Sequence, residues 1–221
     1  MLKSLFPNID WNSIKVVGFD LDGTLYDELD FITQVYKPIS EYLAKVCSCN
    51  PSGIYNWMVK RWLEKGSSYN RIFCEVLINC GVEQNAREVI ISKCIEIYRS
   101  FKPNLTLPKR SCWLLDLFAE EFHDLFLITD GSVSLQLAKI ETLGLLRWFK
   151  TENIVITGAY GKEYYKPSVL SVGKIKVLRG ISPHETVFWG DREVDEQFSN
   201  NAGFHFINVK CLDNMKIHFI T

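Results

Sequence analysis

Val16-Val17-Gly18-Phe19-Asp20-Leu21-Asp22-Gly23-Thr24-Leu25 is the stretch on which the reading of the whole chain turns. Residues Ile14 to Phe19 form a short β-branched and aromatic run, the mark of a buried strand, and the run ends abruptly in two carboxylates one residue apart. In an α/β sheet the carboxyl ends of strands open into the ligand crevice, which is where Asp20 and Asp22 would then lie. Two like charges this close raise each other's pKa unless a cation balances them. A hard divalent ion does so: Mg²⁺ takes one or two carboxylates, keeps several waters and accepts phosphate oxygens. Gly23 supplies a tight turn with no side chain in the way. Asp-Gly is also an ordinary turn signal, so the stretch has to be weighed with the strand ends that follow it.

The chain has 221 residues and is 47% hydrophobic, enough to bury a substantial core as one large domain or two modest ones. Lys+Arg 25 against Asp+Glu 26 gives a net charge of -1, and no block of like charge offers a nucleic-acid or membrane-surface footprint. The seven cysteines, Cys47, Cys49, Cys74, Cys80, Cys94, Cys112 and Cys211, are odd in number and lack CxxC spacing. They read as free thiols rather than a disulfide framework or a zinc site, which points to the reducing cytoplasm. Cys47-Ser48-Cys49 reads as the frayed end of a helix rather than a metal clip. Met1 to Pro7 carries no apolar core of a signal peptide, and no later stretch reaches membrane-spanning length, so neither export nor insertion is expected.

After Leu25 the pattern turns helical. Ile32, Val35, Ile39, Leu43 and Val46 recur at helical spacing, with a bend expected at Pro38. Asn50-Pro51 caps a second helix through Ile54, Met58 and Trp62 to Gly66; a third runs over Ile72 to Cys80, and a fourth carries Val89 to Tyr98. Four helices in succession make a small bundle. The turn-rich segment Pro103 to Pro108 leads to a helix marked by Leu114, Leu117 and Phe118. Strands at 125–128, 154–156, 186–189 and 204–209 then alternate with helices at 132–143 and 168–179, the pattern of a parallel sheet with crossovers. The simplest arrangement is an α/β domain made of residues 1–26 and 105–221, with residues 27–104 inserted as a helical domain.

Strand ends are therefore where the partners of Asp20 should be sought. Thr129-Asp130-Gly131-Ser132 ends one strand and starts a helix, placing a hydroxyl and backbone N–H groups where an anion could be cradled. Lys166, just before Pro167 and Ser168, precedes an expected helix start, where the dipole disfavours a cation; an aspartate or a bound phosphate should compensate it. Trp189-Gly190-Asp191 again puts a carboxylate at a strand end, able to complete a metal site begun by Asp20, with Asp195 four residues on to brace it or hold Lys166. Glu193 and Glu196 read as helix N-terminal charge.

Asp20-Leu21-Asp22-Gly23-Thr24, Thr129, Lys166-Pro167 and Gly190-Asp191 with Asp195 resemble, in order, the four motifs of the haloacid dehalogenase-like (HAD) hydrolase superfamily. The resemblance implies a Rossmann-like α/β core with an inserted four-helix C1 cap, Mg²⁺ dependence, and phosphoryl transfer through an aspartyl-phosphate. It implies Asp20 as nucleophile and metal ligand, and Asp22 as acid and base with its carbonyl on the metal. Thr129 and Lys166 would hold phosphoryl oxygens, Gly23, Thr24 and Gly131 would meet the substrate, Asp191 would be the remaining metal ligand, and Asp195 would support it. Asp22 then needs a pKa raised towards neutrality. Asp130 departs from the asparagine common in similar proteins, so it either points away or reads a substrate hydroxyl, and Glu196 competes with Asp195 for the last role. Cap residues Lys60, Arg61, Trp62, Tyr69, Asn70 and Arg71 are candidates to select a small phosphorylated metabolite, the alternative being a solvated bundle face with Trp62 as core. The leading expectation is a phosphatase; a phosphomutase or phosphotransferase, and a non-catalytic binder of a phosphorylated ligand, are the alternatives. Dehalogenation is disfavoured because the superfamily's dehalogenases lack the aspartate that stands at Asp22.

Overall fold

The chain divides into two compact units, residues 1–27 with 105–221 and residues 28–104. A computed structural model describes residues 6–121 and 124–214, so Met1 to Leu5 of the N-terminal lead lie outside the described residues.

The α-helices in chain order are α1 (Glu28–Cys47), α2 (Pro51–Lys65), α3 (Ile72–Asn79) and α4 (Gln84–Ser100) in the second unit, then α5 (Lys109–Glu120), α6 (Val133–Thr142) and α7 (Glu193–Ala202) in the first. The first unit is built on one parallel sheet of β1 (Val16–Phe19), β2 (Asp124–Thr129), β3 (Ile154–Ile156), β4 (Thr186–Gly190) and β5 (His205–Asn208), ordered β3-β2-β1-β4-β5. The strand order reverses at β1, with β2 on one side and β4 on the other.

A parallel sheet must be covered on both faces, and every residue of β1 and β4 is buried. On one face Val16, Phe126, Ile128, Phe188, Phe198 and Phe204 form a continuous cluster. Gly18 makes this possible: it pairs in register with Phe126, and a Cβ on it would lie 2.1 Å from the Phe126 ring. On the other face Phe19 stacks on Trp189 with centroids 6.2 Å apart, and both rings meet Phe118 of α5 edge-on. Burying such aromatic rings is worth roughly 1.5–3 kcal/mol each, which fixes β1 rigidly between its neighbours.

The helix expected over 168–179 is not formed. Among those residues only a 3-10 turn, Val169–Lys174, is present, with Ser168 accepting from the Leu170 N–H. The backbone donors that an α-helix would need are committed elsewhere: Lys176 N–H donates to the Glu152 carbonyl and Val177 N–H to Asn153 Oδ1. Ile175 and Leu178 are thereby delivered to the core as an irregular segment.

In the second unit Asn50 accepts from the Ser52 N–H at 2.8 Å, and Pro51 occupies the first turn of α2, a cap and a helix start of ordinary chemistry. Helix α1 runs on through Pro38 to Cys47. No helix among the described residues is long and apolar enough to cross a membrane.

Candidate active site

Strand β1 is central, so the residue that follows it is delivered to the middle of the sheet's carboxyl edge. That residue, Asp20, is 1% exposed, and its N–H donates to the Trp189 carbonyl at 2.9 Å, extending the β1–β4 ladder by one step. Burial alone pushes its carboxyl up, and the Asp195 charge adds to this while Lys166 opposes it; the balance stands at about 7. The Lys166 ammonium, with no exposed side-chain surface, donates to Asp20 Oδ1 and to Asp195 Oδ1, both at 2.5 Å. Burial would lower the lysine pKa, yet the two carboxylates outweigh it and hold the ammonium charged. The compensation for Lys166 is therefore a pair of aspartates, and the helix-dipole argument does not apply, since no α-helix begins at Pro167.

Asp195 is fully buried in the first turn of α7, its Oδ2 accepting from the N–H groups of Asp191 and Arg192. Glu196 is exposed, so of the two acids only Asp195 reaches Lys166. Thr129 ends β2 with a buried hydroxyl that has no hydrogen-bond partner among the described residues. Thr24 lies buried beneath Asp20, its hydroxyl donating to Asp20 Oδ2 at 3.4 Å. Asp130 points into the scaffold: its Oδ1 accepts from the Thr157 hydroxyl at 2.8 Å and the Lys166 N–H at 3.3 Å. Gly131 adopts φ 142, and a Cβ there would meet Gln136 Nε2 at 2.7 Å.

Asp20, Asp191 and Asp195 each offer one carboxylate oxygen to a space in which all three oxygens lie within 4.8 Å of one another. Asp191 Oδ1 is buried and has no hydrogen-bond partner, while its Oδ2 meets Lys210 Nζ at 3.2 Å. Burial pushes the Asp191 carboxyl up, and Lys210 only partly offsets this. An all-oxygen donor set with one buried oxygen that accepts no hydrogen bond, though Arg192 Nε stands 3.9 Å from it, suits a small hard cation such as Mg²⁺. Gly23, at φ 79, keeps this place open: a Cβ on it would stand 2.6 Å from Asp191 Oδ2.

Asp22 is held in a way the sequence does not announce. Its Oδ1 accepts from Lys139 Nζ at 2.6 Å and from the Tyr26 hydroxyl, and its Oδ2 accepts from Gln136 Nε2 at 2.9 Å. Burial would raise the Asp22 pKa, but Lys139, then Tyr26 and Gln136, outweigh it and hold the carboxyl below its ordinary range. The expectation of a raised pKa is therefore reversed in this arrangement, because three donors surround the carboxylate. Gln136 and Lys139 are both about 2% exposed on α6, beside the buried Leu135 and Ile140. Two polar residues on the core side of an amphipathic helix were the available signal.

Within residues 28–104, Arg61 forks onto Glu75 at 2.7 and 2.9 Å, and Tyr69 donates to the same carboxylate. Trp62 is half-buried, while Lys60, Asn70 and Arg71 are exposed.

Residues 17–209 match the family described as haloacid dehalogenase-like hydrolase. No curated protein sequence matches the chain. Among solved structures, a HAD-superfamily hydrolase of subfamily IA, variant 1, from Geobacter sulfurreducens is 24% identical at a TM-score of 0.64, covering 89% of this chain and 87% of its own. A chain from Haemophilus somnus described as a predicted phosphoglycolate phosphatase is 16% identical, TM-score 0.64, over 89% and 85%. The Bacillus subtilis HAD-hydrolase YfnB, solved bound to magnesium, is 18% identical, TM-score 0.59, over 92% and 91%. These identities speak for the fold. The family match runs from β1 to the end of β5, the same span whose strand ends bring Asp20 against Lys166 and beside Asp191, and the chain thus belongs to the haloacid dehalogenase-like hydrolases.

Proposed function

We propose that this hydrolase is a Mg²⁺-dependent phosphatase that acts on a small phosphorylated metabolite through an aspartyl-phosphate on Asp20. The observation that carries the reading is the buried Asp20–Lys166–Asp195 chain with Asp191 beside it, a nucleophile, a fixed cation and an oxygen donor set in one place.

Lys166 occupies Asp20 Oδ1, and Oδ2, which carries the long bond from Thr24, is the oxygen assigned to attack. The reaction is thereby split into transfer to the carboxylate and hydrolysis of the acyl phosphate. Asp20, Asp191 and the Asp22 carbonyl would hold the metal, with Asp195 in support; when bound it neutralises phosphoryl charge that would otherwise repel the nucleophile. The Thr129 hydroxyl, buried and unpartnered, is assigned to a phosphoryl oxygen, alongside the Lys166 ammonium. Gly23, Thr24 and Gly131 line the phosphate position. Asp22 is assigned both proton transfers. Its donor-saturated carboxylate suits the second step, in which it takes a proton from the attacking water, and the first step requires a proton on it against the pull of Lys139. Choice of leaving group is assigned to the helical insertion, which follows the first motif directly, as the family's C1 cap does.

The test is phosphate release from a panel of sugar phosphates, nucleotides and an aryl phosphate, with Mg²⁺ or chelator, for wild type and Asp20→Asn. Metal-dependent release that Asp20→Asn abolishes supports the reading. Release unaffected by either change would overturn it.

A further inference from the structure

Five of the seven cysteines fall within residues 28–104, and three of them converge there. Cys47 and Cys49 flank Ser48 at the end of α1, and Ser48 is the one non-glycine residue with positive φ, 52°, among the described residues. The Cys49 N–H closes the helix on the Ala44 carbonyl at 3.1 Å, and the Cys49 thiol donates to the Cys47 carbonyl at 3.2 Å. This end is a formed cap, not the frayed end expected from sequence. Cys80 stands just past α3, its N–H on the Val76 carbonyl at 3.0 Å, and the Val82 N–H bonds the Leu77 carbonyl at 2.9 Å. Two closed helix ends thus present their sulfurs to each other: the thiols of Cys49 and Cys47 each interact with that of Cys80. Cys49 and Cys80 also line one surface cleft with Asn50, Ile54, Trp57 and Val76. No three sulfurs among the described residues close within 4.8 Å, so the group is not a ready-made metal cage.

We propose that this cleft is a site of oxidative modification, in which Cys49 and Cys80 form a disulfide on reaction with a low-molecular-weight disulfide such as oxidised glutathione, with Cys47 as the alternative partner of Cys80. Exposed Cys49 is the entry point. Its thiolate attacks the small disulfide, making a mixed disulfide and releasing one glutathione thiolate. Cys80 then attacks the Cys49 sulfur, the Cys49–Cys80 bond forms, and the second glutathione leaves. Two protein S–H bonds are lost, one S–S bond is gained, and the two protons end on the two glutathione thiols. The proposal makes no use of the phosphatase reading. Burial, and then Cys80, push the Cys49 thiol up, and burial, and then Cys47, push the Cys80 thiol up against the opposing effect of Cys49.

The experiment is equilibration of the full chain in oxidised and reduced glutathione, quenching by alkylation, and tryptic mapping. Wild type should lose two hydrogens in mass and yield peptide 46–60 joined to 72–87. Cys74→Ser should keep the link, Cys80→Ser should lose it, and Cys49→Ser should leave a lesser link through Cys47. Cys80→Ala, checked for native circular dichroism, guards against a serine variant that fails to fold. Unlinked peptides in oxidised wild type, a link that survives both Cys80 variants, or a link between two chains would each overturn the proposal.

Discussion

Lys139 Nζ stands 2.6 Å from Asp22 Oδ1, with the lysine side chain 2% exposed, although the two residues are 117 positions apart. A lysine is rarely buried so far unless its charge is used. Here it sets the charge of the one carboxylate assigned to both proton transfers, and so sets which transfer is the easier.

Lys139→Met removes the cation that depresses the Asp22 pKa, leaving burial to raise it. Each unit of rise makes the protonated form of Asp22 about tenfold more abundant relative to the ionised one at a given pH. The variant should improve kcat/KM for alkyl phosphates relative to aryl phosphates by about tenfold per unit of rise, since only poor leaving groups need the acid, and phosphoenzyme should accumulate as the assay pH is lowered towards the raised pKa. Rapid-quench measurement of trapped phosphoenzyme and the two kcat/KM values check this; Lys139→Arg should behave as wild type. Equal losses on both substrates with no phosphoenzyme build-up would sink the assignment.

The same pair should show in acid stability. The folded pKa of Asp22 is below its unfolded value, so its contribution is present above the ordinary carboxylate range and lost as pH falls through the folded value. In Lys139→Met that contribution is gone, and urea midpoints followed from neutral to acid pH should fall less steeply than in wild type.

Asp20 carries the opposite sign. With its folded carboxyl at about 7, above the unfolded value, the metal-free protein gains stability from this group below the ordinary carboxylate pKa and loses it as pH rises through about 7. Mg²⁺ favours the ionised form. Its stabilisation of the fold should therefore be larger at about pH 8 than at about pH 5, a difference measurable as the Tm gap between Mg²⁺ and chelator. A gap that shrinks with rising pH would contradict the placement of the ion beside Asp20.

Lys166→Met leaves Asp20 and Asp195 buried without their shared cation. Removing one partner of a buried ion pair costs about 3–5 kcal/mol, so a clear drop in Tm should accompany loss of phosphate release. Lys166→Arg cannot place one compact ammonium between two carboxylates, and it should restore stability better than activity.

The fold was legible because its signals are local and repeated. The Val16–Phe19, 125–128 and 187–189 runs are apolar without alternation, as strands covered on both faces must be, and a polar residue follows each within two positions: Asp20, Thr129 and Asp191. The 168–179 segment was misread because Val172, Ile175 and Leu178 mimic helical spacing while the backbone partners that decide its path, Glu152 and Asn153, lie far back in the chain. The acids around Lys166 could be named from strand ends alone. The environment of Asp22 left only a faint signal, Gln136 and Lys139 on the same helix face as Leu135 and Ile140, and only the packing of α6 shows that they turn inward.

The central position of β1 has a consequence for how the protein is made. Of the five strands of the sheet this one leaves the ribosome before the others, and both its hydrogen-bonding partners, β2 and β4, are synthesised only after the whole of α1 to α4 has followed. Until then Val16 to Phe19 is an apolar strand with two open edges, the kind of segment that recruits a wrong neighbour. The nascent chain thus holds its Asp20 in waiting, and the helical insertion lengthens the interval during which a chaperone has something to guard.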